Sequence, residues 1–272
     1  MVCHICQIFI SKHLKNIEIR PERHIVYLDL PCSGNSRGRV IFVHGACARM
    51  QQFEHQICHL NEFYDIAAYD ALGCGLSSKP RGSSVYRSEE MIADFRGFVA
   101  LQTRERKAVA LIGHSMGGAM VLHCSNPEST QCVVAISPPA FSAGHKKNLS
   151  VFELPECVLW LMRPLMAIKA RSLLFGPDPD PQLAAQEKEA SARNPVHMFK
   201  AFYCGIDRKL FTSDLINVPT IIIEGEFDKI CPPLPSSDEY SKHCVQGTGH
   251  QCMQEAPLTV NETITKFLDL NK

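Results

Sequence analysis

The chain has 272 residues, with 28 basic and 28 acidic side chains for a formal net charge of zero, and 45% of its residues are hydrophobic. That length suits one α/β domain with an insertion, or two small domains, and the apolar fraction is enough for a sizeable core. Balanced charge without a long basic run excludes an electrostatic footprint for nucleic acid, and no apolar run reaches the length of a membrane span.

The thirteen cysteines are odd in number and scattered. They do not read as a disulfide framework, so they are expected to be reduced and the protein intracellular, in the cytoplasm or mitochondria. Cys3-His4-Ile5-Cys6 is a C-x-x-C pair with no second pair at zinc-finger distance, so it does not read as a structural zinc site; acylation of Cys3 or Cys6 is the other reading. The apolar stretch Ile5 to Ile10 is too short for a signal core and lacks a basic region before it. The segment up to Glu18 is acid-poor, and Lys12, Lys15 and Arg20 give it a distant similarity to a transit peptide.

Beyond this, apolar runs alternate between strand and helix. His24 to Leu30 alternates as a strand, and Val40 to Val43 is a continuous apolar run ending in His44-Gly45, as expected of a strand buried on both faces. Met50 to Glu62 reads as a helix and Ile66 to Tyr69 as a strand running into the Gly-rich turn Asp70 to Ser78. Ser88 to Thr103 reads as a helix capped by Ser88, with Met91, Ile92, Phe95, Phe98 and Val99 on one stripe. Ala108 to Ile112 is a buried strand, Gly118 to Cys124 a helix and Val133 to Ile136 a strand. Strands resume at Pro219 to Ile223 and near His243 to Gln246, and Thr259 to Leu270 closes as a helix. This order predicts a mostly parallel sheet flanked by helices. Residues 1–137 and 213–272 then form an α/β core, and 138–212 a helical cap inserted above the carboxyl ends of the strands, where open α/β sheets place ligands.

The most informative passage is Ala108 to Gly118, in which a strand enters and a helix leaves G-x-S-x-G. Such a turn is so tight that side chains at Gly113 and Gly117 would strike the neighbouring helix and strand. It holds Ser115 in strained backbone geometry and lifts its hydroxyl above the sheet. The Met116 N–H at the helix N-terminus is the first candidate oxyanion donor, and the Ala46 N–H, after His44-Gly45, is the second. His44 itself is expected to hold the loop. A serine nucleophile needs a base, and the base an orienting carboxylate, in the chain order Ser, Asp/Glu, His. His250, in the loop Gly247-Thr248-Gly249-His250, is preferred as base over His243, which falls in a strand. Asp228, in the loop after Pro219 to Ile223, is preferred as the acid, with Glu226 and Glu224 as rivals.

Together these passages resemble the α/β-hydrolase (abhydrolase-1) superfamily from about Arg39 to the C-terminal helix. The landmarks are His44-Gly45, Asp70 to Ser78 (similar to the family's D-x-x-G-x-G-x-S turn), Gly113 to Gly117, Gly225 to Asp228 and Gly249-His250. The stretch Leu154 to Leu159 and the C-terminal region look most similar to the animal abhydrolase-domain-containing protein eight group. The resemblance implies an α/β-hydrolase fold and a Ser115–Asp228–His250 triad acting on esters. Serine at 115 departs from epoxide hydrolases and haloalkane dehalogenases, which carry aspartate there. The acyltransferase branch carries H-x-x-x-x-D at the catalytic histidine, whereas Glu255 stands at the acidic position here.

Pro155 to Lys169 reads as an amphipathic helix with Val158, Leu161, Met162, Leu165 and Ile168 on one stripe, kinked at Pro164. This stripe packs on the core or forms an apolar lid with Trp160 over an acyl-chain pocket. The expected activity is hydrolysis of a small-molecule or lipid acyl ester through an acyl-enzyme, with peripheral membrane contact through the cap and no metal or organic cofactor. Acyl transfer to a lysophospholipid and a non-catalytic scaffold are the alternatives.

Overall fold

The computed structural model describes residues 12–139, 151–205 and 216–271. Its strands are β1 (Leu14–Arg20), β2 (Arg23–Leu30), β3 (Arg39–Val43), β4 (Asp65–Tyr69), β5 (Ala108–His114), β6 (Thr130–Ile136), β7 (Thr220–Gly225) and β8 (Ser241–Val245). Its α-helices are α1 (Glu54–Leu60), α2 (Ser88–Gln102), α3 (Met116–Cys124), α4 (Glu156–Leu174), α5 (Pro181–Ala192), α6 (Val196–Gly205), α7 (Cys252–Glu255) and α8 (Pro257–Leu270). The strands form one sheet in the order β1-β2-β4-β3-β5-β6-β7-β8. β1 and β2 pair antiparallel with their neighbours, and β4 to β8 are joined by parallel pairings. This is the mostly parallel sheet flanked by helices that the alternation predicted, and the α/β-hydrolase fold that the resemblance implied.

The central strands are apolar on both faces because each face meets its own core. Ile41, Val43, Ala67, Tyr69 and Leu111 point into one cluster, with Phe95 and Phe98 of α2 and Met120 of α3. Val40, Phe42, Ile66, Ala68 and Ile112 point into the other, with Ile57 of α1 and Val260, Ile264 and Phe267 of α8. From β3 the chain steps to β4 on one side and returns to β5 on the other. The loops after β3 and β5 therefore open onto a topological switch point, the usual ligand crevice of such sheets.

Four expectations need correction. β1 was not foreseen; its alternation is short and its outer positions exposed, with Ile17 and Ile19 packing on the core. The predicted helix from Met50 to Glu62 is a 3-10 turn over Met50–Phe53 followed by α1. Ser88 is not at the N-cap position: it is a buried first residue of α2, and Arg87 takes the extended N-cap position without a side-chain cap bond of its own. The stripe assigned to the helix after Pro155 is not its packed face. Leu161, Leu165 and Ile168 stand in solvent, Val158 and Met162 are half-buried, and the buried residue is Leu159. The helix is apolar around most of its girth, so periodicity alone could not choose a side. Trp160 is exposed too and does not roof a pocket. α4 is assigned as one helix through Pro164.

Cys3, Cys6 and the stretch from Ile5 to Ile10 lie outside the described residues, as do 140–150 and 206–215 of the predicted insertion. The eleven cysteines of the described residues are free thiols. Burial pushes those of Cys124, Cys132 and Cys252 up to about 12, so at neutral pH they behave as packing groups, not nucleophiles. Among the described residues no helix is long and apolar enough to cross a membrane.

Candidate functional site

β5 runs directly into α3 through a single residue, Ser115, with φ 53° and ψ −121°. This is a region that L-residues rarely adopt, and the surroundings hold it: the Ser115 N–H donates to the Ile136 carbonyl at 2.8 Å. A Cβ at Gly113 would strike the Gly117 carbonyl, and one at Gly117 would strike the carbonyls of Val43 and His44. The two glycines thus allow strand, turn and helix to close around a half-buried serine.

The loop after β3 lies against this turn. A Cβ at Gly45 would meet the His114 ring and the Ser115 Cβ at 2.8 and 3.2 Å. Cys47 sits in the left-handed region at φ 57°, turning the chain sharply beside Ala46. Among the described residues the Ala46 N–H donates to no acceptor, and the Met116 N–H stands at the open N-terminus of α3. The buried ring of His44 spans the loop: its Nε2 accepts from the Ala71 N–H at 2.9 Å, and its Nδ1 donates to the Gly45 carbonyl at 2.7 Å. Burial lowers its pKa, which suits this neutral tautomer. Asp70, fully buried, accepts from the Met50 and Leu76 N–H groups at 2.8 Å each and so shapes the neighbouring Gly-rich turn.

β7 delivers Asp228 and the loop after β8 delivers His250. His250 Nδ1 donates to Asp228 Oδ2 at 2.7 Å, with both side chains almost wholly buried. Asp228 Oδ1 accepts from the N–H groups of Ile230 and Cys231 at 2.8 and 2.9 Å. Burial alone would raise the Asp228 pKa, but His250 and these two N–H groups outweigh it and hold the carboxyl below its ordinary value. A proton fixed on Nδ1 leaves Nε2 as the acceptor, the tautomer a general base needs. The rivals are engaged elsewhere. Glu224 binds the Leu234 N–H and Lys242, Glu226 accepts from the Gly247 N–H, and His243 lies within β8. No hydrogen bond joins Ser115 to His250 among the described residues; unliganded sites often close that contact only with substrate.

Three further residues support these loops in ways that the sequence does not reveal. His114, the variable residue of the pentapeptide, places its ring 4.7 Å from that of His250, centroid to centroid. Asn194, between α5 and α6, is buried and donates to the Cys47 carbonyl at 2.6 Å, so the turn between these helices holds the loop beside Ala46. Glu255 accepts from the Gly249 N–H and the Gly176 N–H at 2.8 Å each. Its place in the H-x-x-x-x-D-like stretch was the only signal, and its carboxylate braces the backbone of the His250 loop.

The family model for serine aminopeptidase, S33, matches residues 34–256. Protein ABHD8 of Mus musculus is 26% identical over 259 residues, covering 87% of this chain and 56% of that protein, so the chain spans little more than half the length of that relative. The uncharacterized hydrolase YugF of Bacillus subtilis is 27% identical over 254 residues, 85% of this chain and 90% of that one. Among solved structures, an esterase from Exiguobacterium antarcticum superposes with a TM-score of 0.78 at 19% identity, covering 94% of this chain and 99% of the other, a likeness of fold. Because that family model covers residues 34–256, the greater part of the chain, the chain belongs to the serine aminopeptidase S33 family of α/β hydrolases.

Proposed function

We propose that the protein is a carboxylic ester hydrolase with Ser115 as nucleophile, His250 as general base and Asp228 as the orienting acid. The observation that carries this reading is the buried His250–Asp228 pair at 2.7 Å, whose His250 backbone meets His114, the neighbour of a serine held in strained geometry at a helix N-terminus. Ser115 Oγ attacks the ester carbonyl and its proton passes to His250 Nε2. The Ala46 and Met116 N–H groups hold the oxyanion, each contributing on the order of 3 kcal/mol. Collapse expels the alcohol, which takes the proton from His250. Water, deprotonated by the same imidazole, then resolves the acyl-enzyme.

A lipophilic acyl ester is the substrate class we favour, because the 44–47 loop is backed by an apolar core. Met198 of α6 is fully buried with its Sδ 3.9 Å from Cys47 Sγ, and Phe202 of the same helix is buried with it. α6, which lies in the segment expected to form the cap, backs this side of the site. The test is a p-nitrophenyl ester series from acetate to palmitate with wild type and Ser115→Ala, alongside fluorophosphonate labelling. Activity that rises toward longer chains and vanishes in the variant supports the reading. A folded wild type that is neither labelled nor active on any chain length overturns it in favour of a binding role, and an acyl group appearing on an added alcohol rather than on water identifies a transferase.

A further inference from the structure

α4 is apolar on two opposite sides. Its inner side packs through Leu159, with Val158, Met162 and Met166 half-buried beside it. On the outer side Trp160, Leu161, Leu165 and Ile168 are 64, 70, 66 and 70% exposed. At 3.6 residues per turn these four fall within an arc of about 140° along little more than two turns. Single exposed apolar residues are ordinary, whereas four large ones on one short stretch of helix mark a surface that meets something.

The charges around this arc are sorted. Arg163 is turned inward and donates to the carbonyls of Ser191, Ala192 and Asn194, tying α4 to the end of α5. Glu156, the one acid on the helix, pairs with Arg81 at 3.6 Å at the far N-terminal end. Lys169 and Arg171 are exposed at the C-terminal end beside Ile168, and neither forms an ion pair among the described residues. The surface beside the apolar face therefore carries unneutralised positive charge.

We propose that this face of α4 docks the protein on an anionic phospholipid surface. Leu161, Leu165 and Ile168 enter the boundary between headgroups and acyl chains, Trp160 sits at headgroup depth, and Lys169 and Arg171 meet the anionic headgroups. A stable dimer needs about 800 Å² from each partner, more than four side chains of one helix offer, and it would not call for the flanking cations. The far end of α4 is bonded to the site: the Gln251 N–H donates to the Leu174 carbonyl at 3.0 Å, next to His250. Docking along α4 would hold the rim of the site at the lipid surface. That consequence rests on the hydrolase reading, while the docking itself does not.

Trp160 is the only tryptophan of the chain, so its emission reports this face alone. The experiment adds vesicles of phosphatidylcholine, with and without phosphatidylglycerol, to the full chain, and follows Trp160 fluorescence and co-sedimentation. A blue shift and sedimentation with the anionic vesicles, weakened by salt, are expected. The double substitution Leu161→Glu and Ile168→Glu should weaken binding by about tenfold or more while leaving hydrolysis of a short soluble ester unchanged. Lys169→Glu with Arg171→Glu should remove the preference for anionic vesicles. Absence of any shift or sedimentation with the wild type overturns the proposal, as does a concentration-dependent dimer broken by Ile168→Glu, which would give the face to a second copy. Ser115→Ala should bind vesicles like the wild type whether or not the wild type hydrolyses esters, so the two readings stand or fall separately.

Discussion

His114 Nε2 lies 2.9 Å from the backbone oxygen of His250. Burial, helped by the neighbouring His250, pushes the His114 pKa down to about 3, so the ring is neutral at working pH and its Nε2–H donates to that oxygen. The residue just before Ser115 thus anchors the main chain of His250. His114→Phe keeps an aromatic ring and removes the donor. One buried hydrogen bond is worth ~1 kcal/mol, so kcat on a soluble ester should fall by about fivefold, without new pH dependence above pH ~5. An unchanged kcat in the folded variant would show that His250 needs no such anchor.

Asp228→Asn should leave the loop in place but favour the wrong tautomer of His250, lowering kcat by about 10⁴. The same carboxyl shapes acid stability. Its folded pKa is depressed, so its contribution is present above the unfolded value of ~3.9 and lost as pH falls through the lower folded value. Thermal denaturation of wild type and Asp228→Asn should therefore converge below pH ~4. A gap between them that stays constant into that range would contradict the assignment.

Glu255 spans two segments, accepting from Gly249 in the His250 loop and from Gly176 just beyond α4. Burial raises its pKa, against the pull of those two N–H groups. Glu255→Gln offers one good acceptor where two are needed, and loss of a charge-assisted bond costs about 1.5–3 kcal/mol. Faster amide exchange over 247–251 and a kcat lowered by about tenfold are expected. Wild-type exchange together with wild-type kcat would remove Glu255 from the support of the site.

Far from the site, Arg23 of β2 grips Asp94 of α2 in a fork, Nε to Oδ1 at 2.6 Å and Nη2 to Oδ2 at 2.5 Å, with both residues buried. Asp94→Ala strands a buried guanidinium and should cost about 3–5 kcal/mol by denaturant unfolding, with kcat unaffected in the folded fraction. A loss under ~1 kcal/mol would mean that water reaches Arg23 once its partner is gone.

The sheet was readable because its signal is local. A strand covered on both faces must be apolar without a break, as Val40 to Val43 and Ala108 to Ile112 are, and runs this short between turn residues suit a strand better than a helix. The elbow was readable because its pattern is compact: Gly113 answers a clash within its own turn, although the clash that Gly117 answers is with the end of the neighbouring β3. β1 escaped because an edge hairpin with one exposed face has only a short, weak alternation. The packed side of α4 escaped because the helix offers apolar residues to both sides.

Chain order and residue chemistry by themselves determined the fold class and nominated Ser115, Asp228 and His250, since steric demands of a tight turn and the alternation of buried strands leave their mark on neighbouring residues. The meeting of His250 with Asp228 at 2.7 Å, the anchoring of His250 by His114 and the bracing of its loop by Glu255 were decided only by the tertiary structure. Each of these contacts joins loops carried by different strands, and contact between them is set by how β5, β7 and β8 lie side by side, an arrangement no local pattern records.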